Sequence, residues 1–270
     1  MNIIIPMAGE GKRFADKGYK TSKPAIPTTD RRTGKKVPMV VCAVMDIPGV
    51  MKDGENVTFI DRDLHKQDGT EDIIKQHFPK ADFITVNALT EGQACTCLLA
   101  RDKINSDEPL FIAGCDNGMA YDRTLFDCAA AKCDVLAFTY RHNPAVLRNP
   151  CAYGWLAADS EGRVTRVSVK KPLSEDPMND HAIVASFRFR HGRDFVAAAD
   201  KMISENDRVN GEFYVDKVLS HCLLMGQDVR VFEIDRYIGW GTPRDYEDYE
   251  ATINYWKEFT DGKDFIPGDK

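Results

Sequence analysis

The loop Pro6-Met7-Ala8-Gly9-Glu10-Gly11-Lys12-Arg13-Phe14 directly follows a short apolar run and holds the residue types that bind phosphate. Glycine has no Cβ, so backbone N–H groups can approach phosphate oxygens, and a nearby cation neutralises the charge. Arg13 and, further on, Lys23 in Lys23-Pro24-Ala25-Ile26-Pro27 supply those cations. Two common phosphate loops do not fit. A dinucleotide-binding turn needs a third glycine where Phe14 stands; a P-loop needs a hydroxyl residue in place of Arg13 and a glycine in place of Pro6. A carboxylate follows at Asp116, in Ala113-Gly114-Cys115-Asp116-Asn117, at the end of an apolar run, and strand ends of open α/β sheets are where ligands bind. Taken singly, each feature also has an ordinary reading: a plain turn at Gly9–Gly11, a surface turn at Asp116, and solvated lysines at Lys12 and Lys20.

The elements that must position these groups alternate through the first half. Strands are predicted at 2–6, 56–61, 82–86, 109–114 and 134–141, with helices at 69–77, 92–104 and 123–132 between them. Strands separated by helices imply crossover units and a mostly parallel, Rossmann-like sheet flanked by helices. Past Arg141 the pattern changes to strands at 153–158, 164–170 and 183–190, then helices at 193–205, 212–225 and 244–259. The last helix opens on Thr242-Pro243, a cap with proline at the first helical position. Residues 170–181 read as one long loop. The whole chain, 1–270, is expected to be one domain: a nucleotide-binding half over 1–141, and a half over 142–270 with a smaller β sub-lobe and the C-terminal helix.

Composition narrows the partners. A net charge of −6 argues against nucleic acid, whose binders usually carry a basic excess. No run approaches the ~20 apolar residues of a membrane helix, and no signal-peptide pattern opens the chain, so a cytoplasmic protein without a membrane partner is expected. The eight cysteines show no paired CxxC spacing and read as free thiols of a reducing compartment. The six histidines form no cluster; His181, at the end of the long loop, is the one in a position of interest.

Ala-Gly-x-Gly-x-Arg-Phe at 8–14 with the later Lys-Pro-x-x-Pro at 23–27 resembles the signature of the sugar-phosphate nucleotidylyltransferases, a GT-A-like fold family with relatives among the phosphocholine-type cytidylyltransferases. The resemblance continues in order along nearly the whole chain: Glu91-Gly92-Gln93-Ala94, Asp116, Tyr153-Gly154, Lys170-Lys171-Pro172, Asn210-Gly211-Glu212-Phe213-Tyr214-Val215-Asp216 and Trp240-Gly241-Thr242-Pro243. It implies transfer of a nucleoside monophosphate from an NTP to a small phosphorylated acceptor, with CTP one candidate donor and a surface-polysaccharide precursor one candidate product. The implied nucleotide site comprises Met7, Ala8, Gly9, Glu10, Gly11, Arg13, Lys23, Glu91, Gly92, Gln93 and Asp116, with Arg13, Lys23 and Asp116 catalytic. The implied acceptor site comprises Tyr153, Gly154, Lys170, Lys171, Glu212 and Trp240, and the implied cofactor is Mg²⁺. Self-association is left open.

Two departures bear on chemistry. The family's terminal motif carries a metal-binding Asp two residues before its Gly-Thr, and Gly239 stands there. The triplet Glu233-Ile234-Asp235 resembles one that supplies metal ligands in the phosphocholine-type enzymes, which makes Asp235 the second candidate ligand beside Asp116; pairing with Arg230 or Arg236 is its ordinary alternative. Lys170 stands where sugar enzymes commonly have Glu, which points to an acceptor with a second acidic or strongly polar group bound there while Lys171 holds its phosphate. Two other readings compete: a GT-A glycosyltransferase, whose Asp-x-Asp is missing at Asp116-Asn117-Gly118, and a non-catalytic nucleotide-sensing or assembly subunit, which Gly239 would suit.

Overall fold

The computed structural model describes residues 1–260. In chain order the elements are β1 (Asn2–Pro6), α1 (Lys12–Asp16), β2 (Pro27–Thr29), β3 (Lys36–Pro38), α2 (Met39–Met45), β4 (Val57–Arg62), α3 (Asp63–Gln67), α4 (Thr70–Lys75), β5 (Asp82–Val86), α5 (Gln93–Leu98), α6 (Arg101–Ile104), β6 (Leu110–Ala113), β7 (Asn117–Ala120), α7 (Arg123–Ala130) and β8 (Val135–Tyr140). They continue with β9 (Gly154–Ala158), β10 (Val164–Val169), β11 (His181–Phe189), α8 (Gly192–Ser204), α9 (Val215–Leu224), β12 (Val229–Glu233), β13 (Arg236–Gly239) and α10 (Pro243–Phe259).

One nine-stranded sheet runs through both halves of the chain in the order β10-β9-β11-β6-β1-β4-β5, with β8 on β11 and β12 on β8. β1 is parallel to both β4 and β6, and β4 to β5, whereas β11 is antiparallel to β6, β8 and β9. The expected mixed α/β sheet is therefore present, parallel where strands alternate with helices, antiparallel through β9, β10 and β11, and parallel again where β12 joins β8. Ile3, Ile4 and Ile5 are all buried because helices or loops cover both faces of the sheet. Ile3 and Ile5 join a core with Phe59, Phe111 and Phe138; Ile4 faces the other way, onto Phe195, Phe213 and Leu219. A third cluster of Phe14, Met39, Ile238 and Trp240 ties the residues after the glycine loop to the end of β13.

Three differences from the sequence reading have local causes. The helix expected over 92–104 is two short helices, α5 and α6, parted by a turn at Leu99-Ala100. The helix expected from 212 begins at Val215, because Val209 and Glu212 exchange backbone hydrogen bonds across a turn with positive φ at Asn210 and Gly211. β7 and β13 form a separate two-stranded ribbon that the sequence reading did not contain. All eight cysteines are free, as expected, and no helix among the described residues is long and apolar enough to cross a membrane.

Candidate active site

Where β1 and β6 end, the glycine loop and Asp116 come together on one cavity of about 470 Å³. Met7, Ala8, Gly9, Glu10, Gly11, Lys23, Gly92, Gln93 and Asp116 all line it, as the sequence reading expects of a nucleotide site. The loop is built to present its backbone. Met7 and Ala8 are buried, Gly11 takes φ 64° to start α1, and Phe14 anchors that turn in the third cluster. No described residue accepts a hydrogen bond from the amides of Ala8, Gly9, Glu10 or Gly11, so four donors are open to an anion.

Lys23 donates to Oδ2 of Asp116, both partly buried. Burial alone would drive both groups toward neutrality. It is outweighed on Lys23 by the Asp116 carboxylate, with Cys115 adding to it, which raises the ammonium's pKa, and on Asp116 by Lys23 and Arg13, which lower the carboxyl's. The pair is therefore fully charged at neutral pH. Arg13 itself has no hydrogen bond or ion pair to any described side chain. It opens not into the first cavity but into a second, of about 680 Å³, that shares Gln93, Asp116 and Ala185 with the first. The junction exists because β11 breaks register between Ile183 and Phe187, with Ala185 at φ 59° receiving the Gly114 amide at 2.9 Å.

The second cavity holds Tyr153, Gly154 and Lys170 of the expected acceptor site, and not the rest. β10 ends at Val169, and Lys170 adopts φ 59°, which turns its side chain in over the Tyr214 ring at 5.1 Å. Lys171, one residue on, is exposed and outside the cavity, so of the two lysines expected to enter the acceptor site only Lys170 lines it. Glu212 lies on the first cavity instead. Trp240 is 1% exposed and packs under the site against Tyr249 and Gly118; only its backbone amide serves the site, donating to the Asp116 carbonyl at 2.9 Å. Glu91 turns outward to Arg208. His181 begins β11 rather than ending a loop, and its Nδ1 meets Thr139 Oγ1 at 2.9 Å, away from both cavities.

The second candidate metal ligand is not brought to the first. Along the β7–β13 ribbon Gly239 pairs with Asn117 and Arg236 with Ala120, and the Asp235 amide bonds the Ala120 carbonyl. Asp235 therefore lies five ribbon steps, ~17 Å, from Asp116, too far to share an ion bound at ~2 Å. Glu233 is occupied by a bidentate pair with Arg141, at 3.0 and 2.7 Å. Gly239 does stand beside Asp116, at the position the resemblance assigns to the missing carboxylate, but offers no side chain. Among the described residues no group of three or more His, Cys, Asp and Glu could hold a metal by itself. Asp116 is, among the described residues, the one ionised carboxylate bordering both cavities, which fits Mg²⁺ sites of one protein carboxylate completed by substrate phosphates and water.

No family model and no curated protein matches the sequence. Solved structures do match in three dimensions. The chain superimposes on a nucleoside-diphosphate-sugar pyrophosphorylase from Vibrio cholerae with a TM-score of 0.68 and 16% identity, over 92% of this chain and 98% of that one. It matches the inositol-1-phosphate CTP transferase from T. maritima at 0.66 and 14% identity, over 95% and 96%, and a UDP-glucose pyrophosphorylase complexed with UDP-glucose at 0.68 and 17%, over 95% and 98%. Its fold is that of the sugar-phosphate nucleotidylyltransferases.

Within this nucleotidylyltransferase fold, several lining residues carry no sequence signal of their own. Tyr237, Arg148 and Asp245 reach the second cavity beside Tyr214 and Asp216 of the 210–216 segment; Arg148 bonds Asp245 at 3.0 Å across its outer wall. Their approach depends on tertiary packing. Gly92 shows such a dependence clearly. Its φ of 128° and a contact in which any Cβ would lie 2.5 Å from the Phe213 amide nitrogen lock the 91–94 turn onto 213. Gly92→Ala is expected to destabilise the fold by about 1–3 kcal/mol through overpacking, read as a lowered denaturant midpoint.

Proposed function

We propose that the chain is a nucleotidylyltransferase of the pyrophosphorylase type, transferring a nucleoside monophosphate from an NTP to a small phosphorylated acceptor. The observation that carries this reading is the charged Lys23–Asp116 pair at the common wall of two joined cavities, one bounded by an open phosphate-type loop and the other by Arg13. The NTP occupies the first cavity, with its phosphates along the free amides of Ala8–Gly11. The acceptor occupies the second. A phosphate oxygen of the acceptor attacks the α-phosphorus, the bond to the bridging β-oxygen breaks, and that electron pair leaves with pyrophosphate; no covalent enzyme intermediate is needed.

Such chemistry requires positioning and charge neutralisation more than acid–base help. Lys23 neutralises the α-phosphate. Arg13, because it faces the second cavity, neutralises the two phosphates being joined rather than the departing pyrophosphate. Mg²⁺ held by Asp116 would supply Lewis-acid stabilisation of charge on the phosphate oxygens. Gly239 leaves the protein one carboxylate short of the usual set, which favours the non-catalytic alternative, so a cofactor test is informative: EDTA is expected to abolish turnover, and Asp235→Asn to leave kcat and the Mg²⁺ dependence within about twofold of the parent. The reaction itself is tested by offering all four NTPs, CTP and UTP foremost, with a panel of phosphomonoesters, scored by pyrophosphate release. Nucleotide binding without release from any combination would replace the enzyme with a nucleotide sensor.

A further inference from the structure

Resting on the acceptor assignment above, we propose that Asp216, set beside Lys170, selects acceptors that carry a hydrogen-bond donor, a hydroxyl or an ammonium, at the Gly154 side of the second cavity. Asp216 opens α9 and faces the cavity, and no ion pair or hydrogen bond from another described side chain engages its carboxylate. A carboxylate withdrawn from bulk water needs donors, so ligand or solvent must supply them. Lys170 stands close enough to act on its charge but spends a proton on the Ala152 carbonyl.

Two local backbone features bring this arrangement about. Gly154 is bare where a Cβ would overlap Oδ2 of Asp216, and Lys170 takes a left-handed φ of 59°, its amide bonded to the Tyr153 carbonyl at 2.9 Å. Either feature alone could be incidental; together they place an acceptor-only group and a donor-only group side by side in a pocket rimmed by Tyr153 and Tyr214. An acceptor without a donor would displace the water and leave Asp216 unsatisfied, which is a strong means of rejection. Burial pushes the Asp216 pKa up to about 6, with Lys170 pulling against it, so the carboxylate form prevails above that pH.

The test uses the full chain with Mg²⁺, its best NTP and four probes: glucose 1-phosphate and myo-inositol 1-phosphate for hydroxyls, glucosamine 1-phosphate for an added ammonium, and phosphocholine, whose nitrogen has no N–H. A donor-bearing ester is expected to have the highest kcat/KM, and which one leads separates hydroxyl from ammonium. Asp216→Asn should raise the KM of that ester at least tenfold while the NTP KM stays within twofold, and should lessen the fall in acceptor kcat/KM as pH drops through about 6 to the part due to protonation of the ester's own phosphate. Gly154→Ala, which keeps the carboxylate but displaces it, should raise the same KM, with melting temperature checking the fold of both variants. Phosphocholine as the best acceptor, or an unchanged acceptor KM in Asp216→Asn, would overturn the proposal. Should no ester turn over, the transferase reading fails, and calorimetric binding of the same four esters still decides the role: tighter binding of donor-bearing esters, weakened at least tenfold by Asp216→Asn, upholds it, and equal binding refutes it.

Discussion

Asp116→Asn is expected to lower kcat by at least 10²–10³-fold, the scale of removing one preorganised charged group from a transition state, about 3–4 kcal/mol. The isosteric amide keeps the shape of the junction between the cavities but loses the carboxylate that holds the Lys23 ammonium and that is proposed to hold Mg²⁺. Because Gly239 provides no second carboxylate beside it, no neighbour can take over the metal, so excess Mg²⁺ or Mn²⁺ should not rescue the variant. NTP binding in the absence of metal should change far less than turnover, since the loop amides of Ala8–Gly11 are untouched. Pyrophosphate release and a binding titration measured on one preparation check both halves. A variant with near-parental turnover would remove Asp116 from the chemistry.

Arg13→Ala is the second large effect, and it isolates charge from structure. The guanidinium has no ion pair or hydrogen bond to a described side chain, so its loss should leave the melting temperature within a degree or two of the parent. Turnover should nevertheless fall by 10²–10³-fold, because the cation faces the cavity where the proposed reaction brings two phosphates together. Its position also predicts where the deficit appears: in the acceptor KM and in kcat, with the NTP KM little changed. A deficit confined to the NTP KM would return Arg13 to the triphosphate side. Lys23→Ala is a less clean probe, since it strands the Asp116 carboxylate without its partner and should cost stability as well as rate.

How much of this was legible in the residues follows from how each group is positioned. The glycine loop, Lys23, Gly92, Gln93 and Asp116 meet on one cavity because each sits at the end of a strand or the start of a helix in the N-terminal half, and a parallel sheet brings such ends together. The ordered motifs of the family resemblance therefore sufficed to name them together. The acceptor side was read less well for a reason of equal generality. There the chain leaves regular geometry, at the left-handed Lys170, the bulge at Ala185 and the tight turn at Asn210-Gly211, and each irregularity redirects neighbouring side chains. Both lysines were expected inside, and the left-handed turn leaves only Lys170 there; the turn at 210–211 carried Glu212 to the first cavity. Asp235 was misplaced because the Glu233-Ile234-Asp235 triplet does not lie in one strand: β12 ends at Glu233 and β13 begins at Arg236, with Asp235 in the break between them. The β7–β13 ribbon, which decides which residue stands beside Asp116, has strands of four residues each and no periodic pattern to announce it.

The measurement that bears most directly on the central claim is the exchange of radiolabelled pyrophosphate into NTP. With Mg²⁺ and a phosphorylated acceptor present, label is expected to enter one nucleoside triphosphate in preference to the other three. It should require the acceptor, because the transfer is direct, and it should vanish with EDTA and in Asp116→Asn. Absence of exchange under every combination of nucleotide and acceptor, in protein that still binds NTP, would contradict the account.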